Sequence, residues 1–174
     1  EPIAQWSFGR VTLLGDADAP ADEPMRNPKA AINVLIADIE QARQHVHIAF
    51  YIWLDDDTGT RVAQAVAAAA RRGVQCRVMI DALGSRAFHG GPLWRLMEAA
   101  GVRLLATLDD VNRIWHLPLS RVDLRDHRKL AVIDNRIGYC GSHNCADPEF
   151  RVKARFAPWV DVLLRCQGPV VRQM

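Results

Sequence analysis

Hydrophobic positions along this chain switch between a spacing of two and a spacing near 3.6, the pattern of strands alternating with helices. The run WSFGRVTLL reads as a first strand, and the Asp-, Ala- and Pro-rich GDADAPADEP after it reads as a loop. From Pro28 to about Gln44, Ile32, Leu35, Ile36, Ile39 and Ala42 recur at helical spacing, with Asn27 placed as N-cap and Pro28 at the first helical position. VHIAFYIW predicts a strand, GTRVAQAVAAAARRG a helix closed by Gly73, VQCRVMID a strand, PLWRLMEAAG a helix and VRLLATL a strand. This order predicts strands joined by helical crossovers, hence an α/β domain whose mixed sheet is mostly parallel and covered by helices on both faces.

Beyond Asp109 the periodicity lapses. DDVNRIWHLPLSRVDLR reads as a long loop, and in a compact domain such loops tend to carry function. Two strands follow, HRKLAVID and RIGYCGS, with Asn135 and Arg136 as a tight turn between them. After them come the loop HNCADPEFRVKARFA and the strand PWVDVLLRCQ. No internal repeat is visible, and the alanine run reflects helix propensity.

The 174 residues suit a single domain spanning 1–174, long enough to bury a sizeable core. At 49% hydrophobic and 24% charged, with both signs mixed, the chain is an ordinary globule rather than a disordered tail. A net charge of +2 offers no bulk attraction to nucleic acid, so any anion must be held by a local site. Cys76, Cys140, Cys145 and Cys166 show no zinc spacing and read as buried thiols of a reducing compartment. No uncharged apolar run approaches the roughly 18 residues of a membrane span, so this segment reads as soluble, with any membrane anchor lying upstream.

The stretch DHRKLAVIDNRIGYCGSHN places two cations at the head of an apolar strand. Alternation puts His127, Lys129, Ala131 and Ile133 on one side and Leu130, Val132 and Asp134 on the other. His127 and Lys129 thus converge, either as the solvated end of an edge strand or as a phosphate site. Gly141, Ser142 and Asn144 on the next strand add a hydroxyl and an amide, which favours an anion pocket. Asp161 on the last strand is costly to bury without a cationic or N–H partner, and His127 is the natural one, since a carboxylate fixes an imidazole's tautomer. Asp134 reads as an anchor for neighbouring amides.

His127-x-Lys129-x4-Asp134-x6-Gly141-Ser142-x-Asn144 matches the HKD signature of the phospholipase D superfamily without a gap. With FYIWLDDDTG, ARRGVQCRVMIDALGSR, LRDHRKLAVID, DPEFRVKARFAPWVDVLLR and GPVVRQ around it, nearly the whole chain resembles the N-terminal catalytic half of bacterial cardiolipin synthases. The resemblance implies a phosphatidyltransferase working on phosphatidylglycerol at the cytoplasmic membrane of a bacterium, through a phosphohistidine. It makes His127 the nucleophile, has Lys129 and Asn144 hold the phosphate oxygens with help from Ser142, has Asp161 orient His127, and counts Asp134 in the motif. No metal or other cofactor is implied, and no nucleic acid partner. Such synthases carry two HKD motifs, whereas this chain has one. Either a second half completes the site, or two copies pair as in the single-motif nucleases of the superfamily. A homodimeric phosphodiesterase and a silent phosphate-binding module stand as the alternatives.

Other residues invite a functional reading. His45 and His47 share a strand face but lack a third ligand, and Asp55, Asp56 and Asp57 suit a helix N-terminus better than a cation loop. In the resembled family the YIW stretch lies near the floor of the site, which leaves Tyr51 open between site contact and core packing. The loop with Arg86 and His89 and the stretch with Arg113, Ile114, Trp115 and Leu117 are candidates to face a substrate.

Overall fold

The computed structural model describes residues 10–14, 28–108, 125–147 and 161–174. The expected Asn27 cap, the stretch with Arg113 and Trp115, and Trp159 lie outside them. Seven strands form one sheet: β1 (Arg10–Leu14), β2 (His45–Phe50), β3 (Gln75–Asp81), β4 (Arg103–Thr107), β5 (Lys129–Ile133), β6 (Ile137–Gly141) and β7 (Leu163–Gln167). The helices are α1 (Pro28–Glu40), α2 (Asp57–Arg71) and α3 (Pro92–Ala99), and a 3₁₀ helix spans Pro169–Gln173.

The strand order is β1-β7-β6-β5-β2-β3-β4. Only β2–β3 and β3–β4 pair in parallel, while β1–β7, β2–β5, β5–β6 and β6–β7 are antiparallel. The expectation of a mostly parallel sheet is therefore wrong. Parallel pairing needs a crossover, and α2 and α3 supply one each. Among the described residues from β5 onward no helix links two strands: β5 and β6 are joined by Asp134, Asn135 and Arg136, a turn one residue longer than expected. Asp134 and Asn135 both take φ of 52°, a left-handed conformation that short polar side chains tolerate.

The expectation of helices on both faces also fails among the described residues. α1 packs on α2 and α2 on α3, so all three lie on one face. The β2-α2-β3 and β3-α3-β4 crossovers step in the same direction along the sheet, and a common right hand puts their helices on the same side. That side buries Val46, Ile48 and Phe50 of β2, Cys76, Val78 and Ile80 of β3, and Ala131 and Ile133 of β5 against Ile32, Leu35, Ile39, Val62 and Val66. The other face carries His47, Arg77, Met79, Arg103, Leu105, Leu130 and Val132 around a cavity of about 470 Å³, closed at one side by Val171 and Met174.

α2 begins as its sequence predicts. Asp56 is the N-cap, accepting from Gly59 N at 2.9 Å, and Asp57 adds a charge to the first turn. Asp147 accepts from the Asp57 and Thr58 backbone amides and donates its own N–H to Asp56 Oδ2, which ties the segment after β6 to the start of α2. Trp53 is fully buried, stacked on Phe88 at 5.0 Å and edge-on to Phe50. The four cysteines are free thiols, and burial lifts the Cys76 thiol to about 11. Among the described residues no helix is long and apolar enough to cross a membrane.

The far end of β5 is held by Asp134. Its carboxylate accepts from the backbone N–H groups of Arg43, Gln44 and His45 at 2.8–2.9 Å, binding the α1–β2 connection to the β5–β6 turn. Asn135 N donates to His45 Nε2 in the same corner, so His45 has a structural role here. Burial alone pushes the Asp134 carboxyl up, but the three amide bonds and nearby His45 outweigh it and hold the pKa below the usual carboxylate range. A depressed folded-state pKa means this corner contributes fully above the ordinary carboxyl pKa and loses its contribution as pH falls through the folded value. We therefore expect Asp134→Asn to lower the melting temperature at neutral pH and to flatten its fall on the acid side. Thermal unfolding from pH 7 down to pH 3 measures both, and an acid limb as steep as that of the parent protein would exclude the account.

Candidate active site

β5 runs antiparallel to β2 with Lys129 opposite Phe50, so the head of β5 meets the carboxyl end of β2. Open α/β sheets commonly bind ligands at such ends. His127 lies just before β5, exposed, and Lys129 begins the strand half-buried. The two converge: Lys129 Nζ donates to the His127 carbonyl at 2.7 Å, and both groups lie over the ring of Tyr51. The imidazole stacks on that ring with centroids 4.2 Å apart and planes 31° from parallel. Lys129 Nζ is 5.1 Å from the ring centroid. Burial lowers the Lys129 pKa, and the charges of Asp161 and Asp126 pull the other way.

The segment after β6 brings Asn144 to the same place. Cys145 N donates to Ile52 O and Leu54 N to Cys145 O, an isolated parallel bridge alongside the residues that follow β2. Asn144 Oδ1 then accepts from Ile52 N at 3.3 Å, which engages the oxygen and leaves the amide nitrogen as donor. Gly141 is required by close packing: a Cβ there would lie 2.0 Å from the Val162 carbonyl oxygen. That approach lets Ser142 N donate to Val162 O and Val162 N donate to Ser142 Oγ.

Asp161 is placed differently from its expected role. It precedes β7, and its Oδ1 accepts from Ser142 Oγ at 2.7 Å. Among the described residues the His127 imidazole makes no hydrogen bond, so the hydroxyl of Ser142 takes the carboxylate that the sequence reading assigned to the histidine. Asp161 does reach Lys129 through its charge. Asp134, at the opposite end of β5, is not brought to the other motif residues. Asp126, next to His127, is tied to Arg128 by Nε and Nη2 bonds of 2.8 and 2.7 Å, and this fork holds its carboxyl below the usual range.

Of two residues that the sequence reading passed over, Arg125 sits against the same ring and Asp81 holds Arg125. The Arg125 guanidinium lies 4.6 Å from the Tyr51 centroid and its Nη2 bonds Asp81 Oδ1 at 2.9 Å. Asp81 ends β3 with its side chain wholly buried. A carboxylate closing a buried strand was the available signal, since it demands a cation. Phe88, on the loop carrying Arg86 and His89, is buried beneath Trp53, and Ser85 of that loop bonds the backbone of Tyr51 and Trp53.

Comparison with known proteins agrees with this arrangement. The family model described as cardiolipin synthase, PLD-like domain, matches residues 35–154. Cardiolipin synthase A of Edwardsiella ictaluri is 44% identical over 144 residues, covering 82% of this chain and 29% of that protein. Cardiolipin synthase A of Escherichia fergusonii is 42% identical over 173 residues, covering 99% of this chain and 33% of that protein. The chain thus spans about one third of the length of these relatives. Among solved structures, Nuc, a phospholipase D family member from Salmonella typhimurium, aligns with a TM-score of 0.61 at 17% identity, covering 94% of this chain and 88% of that one. NucT from Helicobacter pylori aligns at 0.62 and 20% identity, covering 94% and 89%. At such identities these two establish likeness of fold.

Proposed function

The chain belongs to the family of phospholipase D-like domains of cardiolipin synthase, and from that premise we propose that it supplies one half of a phosphatidyltransferase site. The observation that carries this reading is the convergence of His127 and Lys129 on one aromatic ring, with Asn144 bonded to the next backbone amide. A ring nitrogen of His127 attacks the phosphorus of phosphatidylglycerol, the P–O bond to glycerol breaks, and the phosphatidyl group rests on the imidazole. The hydroxyl of a second phosphatidylglycerol then attacks, restoring the free histidine and forming cardiolipin. Splitting the displacement in two lowers each barrier.

Lys129 and the amide nitrogen of Asn144 bind the nonbridging oxygens, each donor contributing about 3 kcal/mol to the transition state in comparable sites. Asp161 acts through Ser142 and through the charge of Lys129, and Asp134 keeps β5 in register. The proton for the departing glycerol comes from a second HKD half, either further along the full-length chain or in a partner copy. General acid–base help of this kind is typically worth 10²–10⁴-fold. The substrates place the enzyme at a membrane surface.

The test is to incubate the protein as its gene encodes it with vesicles of phosphatidylglycerol and follow the products. Cardiolipin and glycerol in equal amounts are expected. Phosphatidic acid without cardiolipin would make it a hydrolase, and cleavage of a bis-nitrophenyl phosphodiester without lipid turnover would favour the homodimeric phosphodiesterase.

A further inference from the structure

We propose that Tyr51, held in place by Arg125 and its buried partner Asp81, is a positioning residue for His127 that sets the plane in which the imidazole meets phosphorus. This rests on the reading of His127 as the phosphatidyl acceptor. An attacking imidazole needs its ring plane fixed, and a carboxylate bonded to one ring nitrogen is the usual means. Here Asp161 is engaged by Ser142, and among the described residues the contact that orients His127 is the face of Tyr51.

Such a face can orient an imidazole only if it is itself immobile. The Tyr51 carbonyl accepts from Ser85 Oγ at 3.2 Å, and the same hydroxyl oxygen accepts from Trp53 N at 2.9 Å, so the backbone on both sides of Ile52 is pinned to one buried serine. The ring is covered by the guanidinium of Arg125, whose position is set by Asp81. Asp81 Oδ1 also accepts from Gly84 N at 2.6 Å. A Cβ on Gly84 would lie 2.5 Å from the Tyr51 carbonyl oxygen and 3.2 Å from Asp81 Oδ1, so the backbone is as near to both as it can come. Among the described residues Asp81 Oδ2 and Arg125 Nε are buried without hydrogen-bond partners, and the ion pair is joined through Nη2 and Oδ1. A wholly buried carboxylate is costly, and its bond to the cation adjoining the ring under the reacting histidine is accounted for if its work is to hold that ring. Burial raises the pKa of Tyr51, so at neutral pH it acts as a neutral aromatic surface.

The experiment uses the protein as its gene encodes it, labelled with ¹³Cε1-histidine, with the His127 resonance assigned by its loss in His127→Asn. Tyr51→Phe, which keeps the ring, should leave the resonance, its titration and kcat unchanged. Tyr51→Leu should move the resonance downfield as ring-current shielding is lost, and should lower kcat on the order of 10²-fold with little change in KM, the cost of a nucleophile misplaced by about 1 Å. Arg125→Lys keeps the charge but loses the fork, and should move the resonance in the same direction. It decides the matter should Tyr51→Leu fail to fold. A His127 resonance unmoved in both variants, or a Tyr51→Phe protein as impaired as Tyr51→Leu, would overturn the proposal. If the resonance moves as expected but the parent protein forms no phosphohistidine, the orienting contact stands and the transferase reading fails.

Discussion

Replacing His127 by Asn is expected to abolish the phosphorylated form of the protein. With phosphatidylglycerol carrying ³²P, the parent protein quenched during turnover should hold label in an acid-labile, alkali-stable bond, as a nitrogen–phosphorus link requires. His127→Asn should hold none. Turnover should fall roughly 10⁴-fold or more, the scale on which enzymes lose activity when a covalent nucleophile is removed. The effect should be confined to chemistry, because His127 is exposed, its imidazole makes no hydrogen bond among the described residues, and the backbone carbonyl that accepts from Lys129 is kept in the variant. Exposed substitutions of that kind usually alter stability by no more than about 0.5 kcal/mol, so the melting temperature should stay put. Label surviving in His127→Asn would place the acceptor elsewhere and leave the convergence with Lys129 without a catalytic purpose.

The largest effect on stability is expected at Asp38. This carboxylate lies buried in α1, 8% exposed, where Arg165 of β7 donates to it from Nε at 2.7 Å and from Nη2 at 3.1 Å. The hydroxyl of Tyr139 in β6 donates to the same Oδ2. Burial, with Asp38 beside it, drives the Tyr139 pKa far above that of a free phenol, and the Asp38 bond raises that of Arg165, so the trio is one carboxylate serving two donors. It joins α1 to the two strands that lead into Ser142 and out of Asp161. Asp38→Ala leaves the buried Tyr139 hydroxyl without its acceptor and a largely buried guanidinium without its counter-charge, which by analogy with broken buried pairs costs about 3–5 kcal/mol. In a domain of this size that is a melting temperature lower by about 10 °C. Changing all three together, Asp38→Leu with Tyr139→Phe and Arg165→Met, should recover most of the loss, because no polar group is then stranded. A drop below about 1 kcal/mol in Asp38→Ala, by chemical denaturation, would mean that water already reaches the trio.

What could be read along the chain was local. α1, α2 and α3 follow from apolar spacing, the α2 N-terminus from Asp56 and Asp57, and a turn after β5 from Asn135 and Arg136, although the turn begins one residue earlier, at Asp134. The HKD spacing was legible because His127, Lys129, Ser142 and Asn144 sit on either side of one hairpin, where alternation and a short turn decide which groups can meet. The direction of strand pairing was not. A helix between two strands signals a parallel pair only where those strands are neighbours, and β5 lies beside β2, more than 75 residues earlier. The donor that bonds Asp161 was not legible either, for the same kind of reason. A buried carboxylate needs a donor, but which donor is nearest depends on how closely β6 approaches β7, and the approach at Gly141 is tight enough to put Ser142 first.

The sequence by itself determined the elements, the α/β character and the residue types able to hold and attack a phosphate, because these depend on neighbours within a few positions. Only the tertiary structure decided that the sheet is mainly antiparallel with the α-helices α1, α2 and α3 on one face. It also decided that the ring of Tyr51 lies against His127 and Lys129, and that Arg125, bonded to Asp81, adjoins the same ring. Those outcomes depend on contacts between segments far apart in the chain, and such contacts leave no period in the residues that make them.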